Sequence, residues 1–285
     1  MQENFESKSF AVSISGEYAL FTDPITKTGG QKSSYQIPTC QSLVGILEAI
    51  YWKPTFIIVP KKLRIVKQIQ MQTKATNPVN YNANAKDIAV YTYLKSVEYQ
   101  VEFTYVWDMN RQDLKEDRNP EKHNNIMDRH IEKGGKRPIF LGTSECMGYV
   151  KPCKFGEDAG AYDHIDLIDF GIMFHSFNYP KAHIDAQTKD KSAIHTEVSG
   201  KLQANFWRPL MKNGVITFIK PEDCGHSEIA KDYSAKIITQ KIDEPDMRRS
   251  RVIKNYSAKV ALPSAERDKY ESKNEGCDKK GGAVT

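Results

Sequence analysis

The residues with the clearest chemical potential are an adjacent lysine and histidine, Lys122 and His123, and a distant tyrosine, Tyr51. Histidine gives or takes a proton near neutral pH, and lysine carries a positive charge that can stabilise a developing anion. A tyrosine hydroxyl can orient or relay a proton. Together these side chains could cleave RNA without a metal ion. The same residues also fit ordinary roles, a solvated helix end for the Lys–His pair and core lining for Tyr51.

The segment that must position the Lys–His pair runs from Asn119 to Gly135 and carries the start and stop signals of a helix. Asn119 suits the cap, Pro120 the first helical position, and Gly134 the left-handed residue past the end. Helical spacing predicts one packed face, made of His123, Ile126, Met127, His130 and Ile131. Beside it lies a basic edge, with Lys122, Arg129 and Lys133. The free backbone amides of the first helical turn also favour the binding of anions. For His130, farther along the helix, we expect a structural role.

Tyr51 falls in the last turn of a second predicted helix, from Pro38 to Trp52. Its apolar stripe consists of Leu43, Ile46, Leu47, Ile50 and Tyr51. Pro54 cannot continue the helix and marks its end.

Four segments have the alternation of half-buried strands: Phe10–Phe21, Phe56–Met71, Tyr91–Trp107 and Glu145–Phe155. In the second segment Val59–Pro60 suggests a break, after which we expect one side to carry Leu63, Ile65, Lys67, Ile69 and Met71. With the two helices, the order is strand, helix, strand, strand, helix, strand. This order predicts an α+β fold with a ferredoxin-like (RRM-like) βαββαβ domain. Because both helices of such a unit cover one face of the sheet, Tyr51 could approach Lys122 and His123.

We divide the chain into a ferredoxin-like domain (residues 1–158), a small C-terminal antiparallel β-sheet extension (159–227) and a charged tail (228–285). The extension is predicted from short strands at Phe170–Phe177, Leu202–Trp207 and Val215–Ile219. The tail has mixed charge and no apolar pattern, so we expect solvated helix or disorder. Polar composition predicts loops at Thr22–Gln36, Thr73–Asp87 and Lys181–Ser199.

Composition bounds the function without specifying it. The 285 residues carry a net charge of +5, which permits nucleic-acid binding but is not diagnostic. Five cysteines without a Cys-x-x-Cys pair, no long apolar run and an N-terminus without a secretion signal lead us to expect a cytoplasmic protein. No phosphate-binding loop or nucleophile elbow occurs, and we expect neither a metal site nor a cofactor.

Short blocks that occur in order between about residues 10 and 225 carry a family resemblance. They are Gly16–Pro24, Ser34–Thr39, Gly45–Thr55, Tyr91–Lys95, Asp117–Asn119, Lys122–His123, Ile139–Gly142, Glu145–Val150, Phe177–Pro180 and Pro221–Cys224. These blocks resemble the type I-C member of the fifth CRISPR-associated (Cas) protein family, a subunit of the Cascade surveillance complex. The resemblance does not reach the tail.

The resemblance implies an endoribonuclease that cuts CRISPR precursor RNA within the repeat without a metal ion. It implies 2′,3′-cyclic phosphate and 5′-hydroxyl ends, with the protein then retained on the 5′ handle of the crRNA. The family's catalytic tyrosine, lysine and histidine fall on Tyr51, Lys122 and His123. The implied partners are the Cascade backbone and large subunits, and target DNA within the complex. The alternative is a non-catalytic subunit that binds the 5′ handle.

Further RNA contacts are expected at basic residues near the predicted site and in the first polar loop. These are Lys27, Lys32, Arg129, Lys133, Lys136 and Arg137. Each of them could equally be a plain solvated charge.

Overall fold

The structure, a computed structural model, describes residues 5–27, 31–76, 88–180 and 194–239. The strands in this part of the chain are β1 (Phe10–Ala19), β2 (Phe56–Ile65), β3 (Met71–Thr76), β4 (Ala89–Trp107), β5 (Ile139–Phe140), β6 (Met147–Pro152), β7 (Ile168–Asp169), β8 (Met173–Asn178), β9 (Ile194–Trp207), β10 (Leu210–Lys212), β11 (Val215–Thr217) and β12 (Gly225–Thr239). The helices are α1 (Pro24–Lys27), α2 (Cys40–Ile50) and α3 (Pro120–Glu132), with 3-10 turns at Gln112–Asp117 and Pro221–Asp223.

Two antiparallel sheets organise the described residues. The larger sheet has the order β5-β6-β1-β4-β2-β11-β10-β7, and β3 pairs with β4 beyond the end of β2. The smaller sheet has the order β12-β9-β8. The mixed α/β class with mostly antiparallel sheets is therefore confirmed. The central strands lie in the order β6-β1-β4-β2, with α2 between β1 and β2 in the chain and α3 between β4 and β6.

The core lies between the larger sheet and the helices α2 and α3. Alternation brings one side of β4 into this core, including Val101, Phe103 and Tyr105. α2 contributes the predicted stripe, of which Leu43 and Leu47 are fully buried. Both helices thus pack through the faces that the spacing predicted, and their ends meet near the Trp107 end of β4.

Three predictions about the N-terminal half were wrong. β2 continues through Pro60 and ends at Ile65, so the predicted side from Leu63 to Met71 is interrupted. Pro60 is tolerated because β11 pairs with β2 only from Lys62 onward, which leaves an unpaired edge at the proline. The predicted loop from Thr73 begins as part of β3, and its residues 77–87 lie outside the described residues.

The C-terminal half also differs from the prediction. Of the segment predicted to form a small sheet, β7, β10 and β11 extend the larger sheet, whereas β8 and β9 form the smaller one with β12. β12 runs across the predicted boundary at residue 227, so residues 228–239 are strand rather than solvated helix or a disordered tail. Residues 194–199 belong to β9 instead of the predicted polar excursion. Residues 181–193 and 240–285 lie outside the described residues, and the division of the chain at residue 158 stays a prediction.

Candidate active site

The candidate site forms where the end of α2 meets the start of α3. α2 ends at Ile50, and Tyr51 follows in an extended conformation with its amide bonded to the Leu47 carbonyl. α3 begins after Asn119, whose side-chain oxygen accepts the amide of Lys122 at 3.2 Å. This cap is the predicted one, and it places His123 in the first turn of α3 facing the core.

Tyr51 and His123 are joined by a hydrogen bond of 2.9 Å between Oη and Nδ1. On its other side, Nε2 of His123 lies 2.8 Å from the backbone carbonyl oxygen of Asp117. A carbonyl can only accept, so Nε2 carries the proton and Nδ1 of the neutral ring accepts the Tyr51 hydroxyl. The resulting chain runs from the tyrosine hydroxyl through the imidazole to the backbone of Asp117.

This hydrogen-bonded pair is buried in an aromatic environment. His123 is 0% exposed and Tyr51 2% exposed. The rings of Phe56, Tyr105 and Trp107 lie edge-on to the imidazole at centroid distances of 5.3–6.4 Å. Both nitrogens of His123 are satisfied inside the protein, so the described arrangement leaves neither nitrogen free for a bound RNA.

Burial sets the protonation states of the pair. It raises the pKa of the Tyr51 hydroxyl well above its ordinary value, and the negative charge of Asp117 adds to the effect. Burial also lowers the pKa of His123, against the opposing hydrogen bond and charge of Asp117. At neutral pH the pair therefore consists of a protonated phenol and a neutral imidazole.

Asp117 organises the polar side of the site, although sequence reasoning did not assign it a role. Its carboxylate accepts Thr55 Oγ1 at 2.7 Å and Lys122 Nζ at 2.5 Å, and it lies 3.5 Å from His123 Nε2. Burial alone would raise its pKa, but the hydrogen bonds from Lys122 and Thr55 outweigh burial and hold that pKa below its ordinary value. The sequence did contain a signal for this role, because Asp117 lies five residues before Lys122 and belongs to the block Asp117–Asn119.

Lys122 is the member of the predicted trio that reaches solvent. Its side chain is 51% exposed, and its ammonium lies at the Asp117 carboxylate rather than at the Tyr51–His123 pair. The structure thus brings Tyr51 and His123 into direct contact and links Lys122 to them through Asp117.

His130 also contacts the Tyr51 ring, from a position about two helical turns beyond His123 on α3. Its ring stacks on Tyr51 at a centroid distance of 5.6 Å and an angle of 21°, and it is half-buried. Burial lowers the pKa of His130, and so do the charges of Lys136, Lys133 and Arg129. Three of the predicted RNA contacts therefore share one cationic rim beside the buried pair.

The remaining predicted contacts lie outside this rim. Arg137 donates to the Glu48 carbonyl at 3.0 Å near the end of α2. Lys32 lies beside Tyr91 on β4, away from the Tyr51–His123 pair. The side chain of Lys27 lies outside the described part of the structure.

In the described ranges, no group of three or more histidine, cysteine, aspartate or glutamate side chains is arranged to hold a metal ion. Within the same ranges no helix is long and apolar enough to cross a membrane.

Comparison with known proteins identifies relatives along much of the chain. A region of a protein named "CRISPR pre-crRNA endoribonuclease Cas5d" from Thermus thermophilus is 31% identical over 150 residues, covering 50% of this chain and 62% of that protein. A second protein of that name, from Mannheimia succiniciproducens, is 32% identical over 84 residues, covering 30% of this chain and 36% of its own. The chain thus spans less than two thirds of the length of these relatives.

A solved structure titled "Crystal Structure of CRISPR-associated Protein" is also similar. It is 36% identical, with a TM-score of 0.61, over 78% of this chain and 97% of the other. The model of a protein family described as "CRISPR-associated protein (Cas_Cas5)" matches residues 10–219. Because this match covers most of the sequence, the chain belongs to the Cas5 family of CRISPR-associated proteins.

Proposed function

We propose that the protein is a type I-C Cas5 that cleaves CRISPR precursor RNA in the repeat as a metal-independent endoribonuclease. The 2.9 Å hydrogen bond between Tyr51 and His123 carries the proposal, because it joins two groups able to move protons across the α2–α3 junction. The names of the two relatives support the RNA substrate.

The proposed reaction is an internal displacement at phosphorus. The 2′-oxygen of the nucleotide before the cut loses its proton and attacks the adjacent phosphorus, while the bond to the 5′-oxygen breaks. A 2′,3′-cyclic phosphate and a 5′-hydroxyl result, and the proton lost by the 2′-hydroxyl is balanced by one delivered to the 5′-oxygen.

The protonation states suggest a division of roles. His123 is neutral at neutral pH, because burial lowers its pKa, so it acts as the proton acceptor. Tyr51 stays protonated, because its pKa is raised, so it donates a hydrogen bond or proton instead of acting as a base. Lys122 stabilises the negative charge on the phosphorane.

Substrate access requires a rearrangement of the segment from Asp117 to His123, because His123 is fully buried. The link that must open is the ion pair between Lys122 and Asp117, which is half-exposed on the lysine side. Exposed ion pairs contribute about 0–1 kcal/mol, so an incoming phosphate could replace Asp117 as the partner of Lys122 at small cost. The RNA would then sit along the cationic rim of Arg129, Lys133 and Lys136.

We also propose the finer assignments that follow from the resemblance. The strands β6-β1-β4-β2 with α2 and α3 would form the ferredoxin-like unit of the chain. Mature crRNA, through its 5′ handle, and the Cascade backbone and large subunits would be the lasting partners, with target DNA inside the complex. A cytoplasmic location suits the free cysteines Cys40, Cys146, Cys153 and Cys224.

A second candidate function is a non-catalytic subunit that holds the 5′ handle. The observation that favours it is the complete burial of His123, whose two ring nitrogens are already satisfied. In this case the Tyr51–His123 hydrogen bond would only join the two helices.

Cleavage of a labelled CRISPR repeat RNA in the presence of EDTA separates the two candidates. The first predicts a cut within the repeat and a 5′ product whose 3′ end carries a cyclic phosphate that opens on acid treatment. Tight binding of the 5′ handle without any cut would support the second candidate. Cleavage that stops in EDTA and returns with added Mg²⁺ would contradict metal independence.

A further inference from the structure

A cluster of tyrosines and lysines lies on the sheet where β3 and β4 pair. Cross-strand neighbours share one face, and here Gln72 and Lys74 of β3 stand opposite Tyr93 and Tyr91 of β4. Tyr18 reaches the same face from β1, with its hydroxyl 3.2 Å from the side-chain oxygen of Gln72. The face therefore carries aromatic rings from neighbouring strands.

The three rings form a connected row. Tyr93 lies in the middle, with its ring centroid 6.1 Å from Tyr18 and 6.4 Å from Tyr91, in edge-on contacts. Tyr93 is buried and its hydroxyl interacts with Glu145, whereas the two outer rings are half-buried. The outer rings are therefore the ones that a ligand can reach.

Each outer ring has a lysine ammonium over it. Lys74 Nζ lies 3.3 Å from the centroid of Tyr18, and Lys32 Nζ lies 5.0 Å from that of Tyr91. Backbone pairing fixes the position of Lys32, since its carbonyl accepts the amide of Thr92 at 2.9 Å. Among the described residues neither lysine has a carboxylate within salt-bridge distance, unlike Lys62 and Lys67 farther along the sheet.

We propose that this tyrosine–lysine cluster binds unpaired nucleotides of RNA, with bases on Tyr18 and Tyr91 and phosphates on Lys74 and Lys32. Stacking on aromatic rings together with a nearby cation is how proteins hold single strands without reading sequence. A lysine side chain is long enough to move from the ring face to a phosphate when a base takes its place. The identification of the ligand as RNA rests on the proposed function. The description of the cluster rests only on the contacts given above.

The cluster is separate from the candidate active site. The Tyr51–His123 pair contacts Tyr105 and Trp107, at the other end of β4 from Tyr91. At about 3.3 Å per strand residue, Tyr91 and Tyr105 are up to roughly 45 Å apart. An RNA segment on the cluster would therefore be held away from the scissile bond, which suits retention of a strand rather than its cleavage.

The test is binding of a short labelled oligouridylate to the full chain over a series of salt concentrations. Tyr91→Ala and Tyr18→Ala should each weaken binding about 5- to 100-fold, and Tyr91→Phe should not. Lys32→Gln and Lys74→Gln should each reduce the slope of log K against log salt by about 0.7. Lys201→Gln is the matched control, because it removes the same charge from an exposed lysine that pairs with Glu228.

The outcomes separate this inference from the proposed function. Unchanged affinity and salt slope in the lysine variants and in Tyr91→Ala would overturn it, provided that their circular dichroism matches wild type. The inference would also be overturned if wild type bound polyglutamate and the same variants weakened that binding as much as they weaken oligouridylate binding. That result would favour an acidic protein partner. If wild type binds oligouridylate through the cluster but does not cut repeat RNA, the nuclease proposal fails and this inference stands.

Discussion

Replacing Tyr51 by phenylalanine removes one oxygen atom from the contact between α2 and α3. The ring keeps its packing against Phe56 and His130, but the buried Nδ1 of His123 loses its donor. A buried polar atom left without a partner costs about 1–3 kcal/mol, because its lost hydration is not replaced. We therefore expect Tyr51→Phe to lower the free energy of unfolding by about 1–3 kcal/mol.

Urea denaturation measures this change, and a double-mutant cycle with His123→Leu assigns it to the pair. A direct contact of this kind should give an interaction energy of about 0.5–3 kcal/mol. Tyr149→Phe is the matched control, because that tyrosine is 61% exposed and its hydroxyl lies 4.0 Å from Met147 Sδ. The control should change stability by less than about 0.5 kcal/mol.

An interaction energy near zero, or equal effects of Tyr51→Phe and Tyr149→Phe on stability, would contradict this prediction. Either result would mean that the hydrogen bond does not form in solution.

Other predictions concern pH, the helix cap and a tight turn. The pKa of His123 is lowered in the folded state, so the unfolded chain takes up its proton first; stability should therefore fall as pH drops below about 6.5. Urea titrations at several pH values should show this fall reduced in His123→Leu. Asn119→Ala should destabilise the protein by about 0.5–2 kcal/mol through loss of the α3 cap, measured in the same way. Gly142→Ala should prevent stable folding, seen as loss of cooperative thermal unfolding, because φ is +98° and an added Cβ would lie 2.0 Å from the Leu20 carbonyl oxygen.

Local signals in the sequence were sufficient for the helices. Asn119 and Pro120 predicted the start of α3, and Gly134 does have a positive φ of +78° just past its end. The apolar stripes of both helices were also correct, because a buried face must repeat with the helical period. Their meeting point followed from the order of elements, and this order brought Tyr51 within reach of His123.

What the sequence could not supply was the depth of burial and the long-range pairing. His123 shares a face with Met127 and Ile131, yet only the aromatic rings of β2 and β4 show that it is closed off from solvent. β3 and β12 were missed because their many polar residues give no clear alternation of apolar and polar positions. The role of Asp117 depends on Thr55 and Lys122 converging in space, which spacing alone does not reveal.

The most direct test of the central claim is the single-turnover rate of repeat-RNA cleavage by His123→Gln, with wild type and Lys201→Gln measured in parallel. General acid–base chemistry by His123 predicts a loss of about 10²- to 10⁴-fold, with RNA affinity and folding retained. Lys201→Gln should cleave at the wild-type rate. A His123→Gln rate within about threefold of wild type would contradict the claim and would leave the Tyr51–His123 hydrogen bond as a structural contact.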